Sequence, residues 1–289
     1  MVDKNNLSEV AKVLADKKIK KLAMLAPSFV LEFGYPDVVI ALRKLGFDKV
    51  VELTFGAKIV NSEYHKLLGK GKMLISTACP GVTEFIKNNY PSLRSNLVRV
   101  DSPMIATAKV CKKSFPKHKV FFISPCNFKK QEANGSKYVD YTIDYQQLKG
   151  ILIENKIGMK HKKPGKYQLF DCFYNDYTKI YPMAGGLSKT AHLKGILKQG
   201  EEKVIDGVAN VKKYLDVYIK NPDKKIKFLD INFCVGGCLG GPFTSKDKTI
   251  EEKKEKLIKY LNLSKKEKIP EKNKGWMKKA EGIDFTRKI

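Results

Sequence analysis

Short apolar runs punctuate this chain, separated by stretches with helical periodicity. The runs are KLAMLAP (21–27), KVVELTF (49–55), KMLISTA (72–78), KVFFISP (119–125), YVDYTID (138–144), YQLFDCF (167–173) and KFLDINF (227–233). Their brevity and their β-branched and aromatic content predict strands. Between them, Leu7, Val10 and Leu14 fall on one helical face, as do Val82, Phe85 and Ile86 within 82–90. A further helix is predicted over 188–199, opened by Ser188 as N-cap and closed by Gly200. Strands alternating with helices predict an α/β fold. The polar stretch 155–166 (NKIGMKHKKPGK) reads as a surface loop. After Pro242 the pattern changes, which divides the chain into a body, 1–243, and a Lys-rich segment, 244–289. That segment carries one amphipathic helix, marked by Ile250, Leu257, Ile258 and Leu261, and then an extended or disordered tail over 264–279 with Trp276 as an anchoring aromatic.

The cysteines add the chemistry. Cys79, Cys126 and Cys234 each lie at or just past the end of an apolar run, and Cys238 follows Cys234 by four residues. Ligand-type residues at strand ends of an open α/β sheet meet in the crevice at the carboxyl edge. Four thiolates converging there, with small residues around them, meet the requirement of an iron–sulfur cluster. Gly236-Gly237 and Gly240-Gly241 would let backbone approach a bulky inorganic core. Cys79 precedes Pro80-Gly81 and a helix, so its sulfur is expected at a helix N-terminus, where an anion is favoured. Against this, buried cysteines are common, and C-x-x-x-C with glycines is by itself a weak signal. A structural zinc site would show C-x-x-C knuckles, and the sequence has none. Cys111 and Cys172 read as core residues, and His65, His118, His161 and His192 as surface residues.

Composition bounds the function classes. The length of 289 residues is ample for a core, and the 43% hydrophobic content is ordinary. The net charge of +26, from 56 Lys+Arg against 30 Asp+Glu, favours acidic partners. The basic residues are mostly Lys, spread along the chain without an RRM, zinc-finger or helix-turn-helix signature, so no nucleic-acid role is expected. No apolar run approaches the ~18 residues of a membrane span, and no signal peptide is evident. The expectation is a cytoplasmic protein with reduced thiols and no membrane partner.

These segments, in this order, resemble the catalytic domain of the FeFe-hydrogenases over about residues 20–243. That family's three signatures, approximately TSCCP, MPCxxKKxE and MACxGGCxxGG, correspond to Thr77-Ala78-Cys79-Pro80, to Ser124-Pro125-Cys126 with Lys129, Lys130 and Glu132, and to Asn232 through Cys238. TFGA (54–57), YPSL (90–93), DSPM (101–104) and AGGL (184–187) match connecting features. The resemblance implies a two-lobed domain, each lobe a small twisted mixed sheet flanked by helices, with the active site in the cleft. It implies an H-cluster: a 4Fe–4S cube on Cys79, Cys126, Cys234 and Cys238, with Cys238 also bridging to a di-iron unit carrying CO, cyanide and a dithiolate amine. Lys129 corresponds to the lysine that bonds a cyanide ligand, which with Cys238 makes it the catalytic pair. Ser102, Pro125 and Gly237 complete the cofactor-binding set. Maturation enzymes for the di-iron unit are implied, and so is a ferredoxin or similar acidic electron carrier.

The sequence departs from the family at informative places. The proton-relay cysteine corresponds to Ala78, two methionines to Ser124 and Asn232, a glutamine to Met104, and the paired glutamates to Tyr64 and Leu67. Glu63, Tyr64 and Cys111 stand as candidate substitutes in proton transfer. No cysteine precedes position 79, which implies a minimal form that takes electrons directly into the cube. The expected function is reversible H2 formation from reduced ferredoxin. A hydrogen-sensing or slow homologue, favoured by Ala78, and a non-catalytic iron–sulfur assembly protein of the same fold are the alternatives.

Overall fold

The computed structural model describes residues 4, 6–68, 71–159 and 169–289. One sheet contains β1 (Lys21–Leu25), β2 (Lys49–Glu52), β4 (Lys119–Ser124) and β5 (Tyr141–Asp144) in the order β2-β1-β4-β5. The other contains β3 (Leu74–Ile75), β6 (Glu202–Asp206) and β7 (Phe228–Asn232) in the order β3-β7-β6. Every strand pair is parallel, so the sheets are parallel and not mixed. Parallel strands are covered on both faces and read as unbroken apolar runs. The two-residue period then sorts β1, β2 and β4 between two cores. Leu22, Met24, Val51, Val120 and Phe122 enter one, and Ala23, Leu25, Val50, Phe121 and Ile123 the other.

The first of these cores also takes in α3 (Thr54–Leu67), α5 (Pro103–Ser114) and, from the second sheet, Phe228. It thus lies between the lobes. The opposite core is closed by α1 (Leu7–Ala15), α2 (Asp37–Lys44), α7 (Tyr145–Glu154) and α10 (Ile250–Ser264). A third core joins Ile75, Leu229 and Ile231 to α4 (Pro80–Asn89) and α9 (Val208–Tyr218). The remaining helices are α6 (Asn127–Asn134), directly after β4, and the short α8 (Gly186–Thr190).

Several predicted elements differ. Residues 169–173 form no strand: the Asp171 N–H donates to Val50 O at 2.9 Å and its carboxylate accepts from Val50 N at 2.7 Å, so an irregular segment covers the edge of β2. β6, with its charged EKVID sequence, was not predicted, because an exposed edge strand need not alternate cleanly. The helix predicted over 188–199 is only α8, whose N-cap is Gly185 at φ 69°. Ser188 lies inside it, with its N–H on Asp230 Oδ2 at 3.0 Å, and His192, at φ 51°, ends it. Of the loop at 155–166, residues 160–166, His161 among them, lie outside the described residues. His118 is buried, contrary to expectation, whereas His65 and His192 are exposed. The tail is pinned and not disordered: Tyr174 N donates to Asn273 O, Gly275 N to Tyr174 O and Lys58 Nζ to Gly275 O, at 2.8, 2.8 and 3.1 Å. Trp276 stays 43% exposed beneath Lys58 and Lys274, an anchor only in part. Among the described residues no helix is long and apolar enough to cross a membrane.

A buried ion pair fastens α10 to the body. Lys179 Nζ bonds Glu52 and, at 2.7 Å, the Tyr260 hydroxyl, which itself donates to Glu52 Oε1 at 2.9 Å. The ammonium also lies 4.3 and 4.7 Å from the Tyr260 and Tyr174 ring centroids. Burial drives the Glu52 carboxyl up and the Lys179 ammonium down, against their mutual attraction. Removing one partner would strand the other charge at a cost of about 3–5 kcal/mol. Lys179→Met should therefore lose that much stability in urea denaturation, and Glu52→Gln in the same chain should recover most of it.

Candidate active site

The cleft opens where the two sheets present their carboxyl edges. In the order β2-β1-β4-β5 the chain leaves β1 and β4 in opposite directions, which makes a crevice at their ends. Ala26, Pro27 and Ser28 after β1, Ser124 at the end of β4, and Pro125 and Cys126 after it line it. From the second lobe come Ala78, Cys79, Asn232 and Cys238. Leu53, Ala57, Phe122 and Pro182 add apolar walls. Cys79 and Cys126 occupy the N-cap positions of α4 and α6, so both thiols sit at positive helix ends.

All four predicted cysteines come together. Burial pushes the Cys126 thiol up to about 12, and Cys79 and Cys234 add to the shift. Cys238 is raised further, first by burial and then by Cys126, Cys79 and Cys234, although its sulfur is open to the cleft. Burial also raises Cys234, with Cys79 contributing. Every pair of the four thus lies within electrostatic reach. Tetrahedral zinc, with Zn–S bonds of about 2.3 Å, would need sulfurs about 3.8 Å apart. Among the described residues no three His, Cys, Asp or Glu side chains are arranged to hold a single ion. A soft all-thiol set wider than one ion fits a larger iron–sulfur core. Cys111 and Cys172, by contrast, are buried in the core between the lobes, as expected.

The turn carrying Cys238 explains its glycines. Gly236 and Gly237 have φ of 75° and 68°, left-handed values that favour glycine. A Cβ on Gly237 would lie 2.6 Å from Pro182 O and 2.8 Å from Ala184 N. This close packing lets Cys238 N donate to Pro182 O at 2.7 Å, which aims the thiol into the cleft.

Lys129 lines the cleft, with Nζ 3.3 Å from Ala78 O and 2.7 Å from Glu132 Oε2. Two of its three N–H donors are thereby used. Pro125 is in the wall, but Gly237 acts behind it, and Ser102 is one layer removed, with Oγ on Glu132 Oε2 at 2.9 Å. Among the departures from the family pattern, Ala78, Ser124 and Asn232 line the cleft, whereas Met104 is buried outside the lining. Glu63 pairs with Lys66 near the surface, and neither it nor Cys111 reaches the cleft wall. Sequence reasoning missed Tyr181, whose buried hydroxyl has no partner among the described residues; Asn232, a departure named from the sequence, likewise has its Oδ1 unpartnered among them, and both stand on the cleft wall. Nothing in the local sequence marks Tyr181.

Residues 19–242 match the family model of the iron-only hydrogenase large subunit, C-terminal domain. The chain belongs to this family. It is 23% identical to iron hydrogenase 1 of Clostridium pasteurianum over 301 aligned residues, which cover 83% of this chain and 52% of that protein. It thus spans about half the length of that relative. The fold is that of HydA1, the FeFe-hydrogenase of Chlamydomonas reinhardtii, with a TM-score of 0.64 at 18% identity over 88% of each chain. An apo variant of that enzyme covers 96% of this chain and 92% of its own, with a TM-score of 0.65 at 17% identity. The hydrogenase fold accounts for the two lobes and for a cleft at their shared edge.

If the Cys238 turn is shaped by close backbone packing, Gly237→Ala should displace the thiol. The left-handed conformation alone costs a non-glycine residue about 1–2 kcal/mol, and the clash adds to it. Iron bound after anaerobic reconstitution should fall well below wild type, while far-ultraviolet circular dichroism stays unchanged. Full iron loading would show that the turn tolerates a side chain.

Proposed function

We propose that this chain is a hydrogenase domain that interconverts two protons and two electrons with H2 at an H-cluster. The observation that carries the reading is the convergence of Cys79, Cys126, Cys234 and Cys238 at one edge, with Lys129 in the same cleft. The four cysteines would hold a 4Fe–4S cube, and Cys238 would also join it to a di-iron unit. That group, when bound, supplies the redox-active metal, the open position and the base that splitting H2 requires. Lys129 offers a charge-assisted hydrogen bond to an anionic ligand. Leu53, Ala57, Phe122 and Pro182 keep water away, which strengthens every electrostatic interaction inside.

Proton delivery favours a second reading. Ala78 carries no titratable group. Behind it the Tyr64 hydroxyl accepts from Thr77 N at 2.8 Å, and burial pushes that phenol up to about 12. Tyr64 does not line the cleft, and a phenol held above the operating pH is a poor acid–base group there. A slow or hydrogen-sensing homologue fits this feature better than a fast enzyme. The proposed electron donor is a ferredoxin or similar acidic carrier, drawn to a chain of net charge +26. It would approach near Cys234, where Val235 is 60% exposed and Lys246 lies nearby. Separate enzymes would build and deliver the di-iron unit. Unpaired thiols suit a reducing, cytoplasmic compartment.

Infrared spectroscopy after anaerobic cube reconstitution and addition of a synthetic di-iron cofactor tests the reading. Protein-bound CO and cyanide bands, with H2 evolved from a reduced dye, are expected. A cube that never retains the di-iron unit would overturn it in favour of an iron–sulfur protein without hydrogenase chemistry. Ala78→Cys should raise turnover by about a hundredfold, at the low end of what a positioned proton donor contributes. Unchanged turnover would place proton transfer elsewhere.

A further inference from the structure

Residues 276–289 lie outside the stretch matched to the family, yet they reach the site. They cross the body as a strap. Asp101 N donates to Phe285 O at 2.8 Å and Arg287 N to Arg99 O at 3.3 Å, flanking a bridge between Val100 and Thr286. Lys109 Nζ donates to Asp284 O at 2.7 Å. Phe285 is buried in the core between the lobes, and Ile289 packs on the core of the second lobe. The backbone of Arg287 is therefore held on both sides.

Its side chain joins two elements that carry cluster cysteines. Arg287 Nη1 donates to Thr77 O, two residues before Cys79, at 3.3 Å, and to Glu132 Oε1 on α6 at 3.1 Å. The other oxygen of the same carboxylate takes Lys129 Nζ at 2.7 Å and Ser102 Oγ at 2.9 Å. Side-chain exposures of 17%, 10% and 12% for Arg287, Glu132 and Lys129 put the network largely out of water, where charge-assisted bonds are strong and cooperative. A carboxylate held at one oxygen only could turn about its terminal torsion and carry Lys129 with it.

We propose that Arg287 is a positioning residue: it clamps Glu132 against the Cys79 loop and thereby sets the direction in which Lys129 points into the cleft. The proposal rests on the hydrogenase reading for its consequence but not for the clamp itself. It explains why Lys129, an ammonium on a flexible stem, has one bearing.

The test compares wild type with Arg287→Ala and Arg287→Lys in two measurements. In the apo protein, hydrogen exchange followed by mass spectrometry should speed up about tenfold at 77–81 and 129–134 in Arg287→Ala, and less in Arg287→Lys, with the central strands unchanged. In the reconstituted protein, cube content should be the same in all three. Arg287→Ala should retain the di-iron unit about tenfold less tightly, at the low end of the loss typical when a partner behind a ligand is removed. The cyanide bands of the loaded fraction should also shift, a change that lower loading alone would not produce. Arg287→Lys should lie between. Unchanged exchange in Arg287→Ala overturns the clamp whatever the cluster does. Altered exchange with wild-type retention and unshifted bands overturns the link to Lys129. Wild type that never holds the di-iron unit overturns the hydrogenase reading alone, and the exchange measurement still decides the clamp.

Discussion

Four cysteines gather at one protein edge, and three of them, Cys126, Cys234 and Cys238, resist ionisation because burial and neighbouring thiols both oppose negative charge. A cationic core reverses that balance, since metal binding requires thiolates and couples proton release to folding. The surrounding architecture serves this constraint. Two parallel sheets bring their carboxyl edges together, two helices begin at Cys79 and Cys126, and the Gly236-Gly237 turn presses Cys238 against Pro182. Few other arrangements would place four sulfurs from three separate chain segments on one center while keeping backbone polar groups paired.

The distant parts of the chain hold that edge in shape. The core between the lobes contains residues of both sheets, so the lobes share one packed interior and the cleft width is set by side-chain volume. On the opposite side, the Lys179–Glu52–Tyr260 cluster fastens α10 at the end of β2, next to the Leu53 wall of the cleft. Breaking such a pair costs more than forming it contributes, so it confers definition more than stability. The strap over 276–289 completes the enclosure from the second lobe's side.

The relation between the site and its family is selective. The metal-binding part of the pattern is intact, with all four cysteines and Lys129 at the cleft edge. The proton-handling part is replaced by Ala78, a high-pKa tyrosine and the half-exposed Leu67. The residues of the family's cysteine signatures and those at its proton-relay positions have thus changed to different degrees in this chain.

The strands at 21–25, 49–52, 119–124 and 228–232 were legible in the sequence because buried parallel strands are apolar on both faces. The convergence of the four cysteines was legible too, because strand ends in an open sheet converge by topology. β6 was not, since an edge strand answers to solvent on one face. The segment 169–173 misled, because Phe170 and Phe173 are buried without a ladder to join, and Asp171 between them caps the edge of β2. Tyr181 and Arg287 carry no local signal at all. Fold class and the gathering of cysteines could be read from one dimension, because they depend on periodicity and residue type. The surroundings of Lys129 and the contacts of Arg287 emerge only on folding, because they join residues as far apart as 77, 132 and 287.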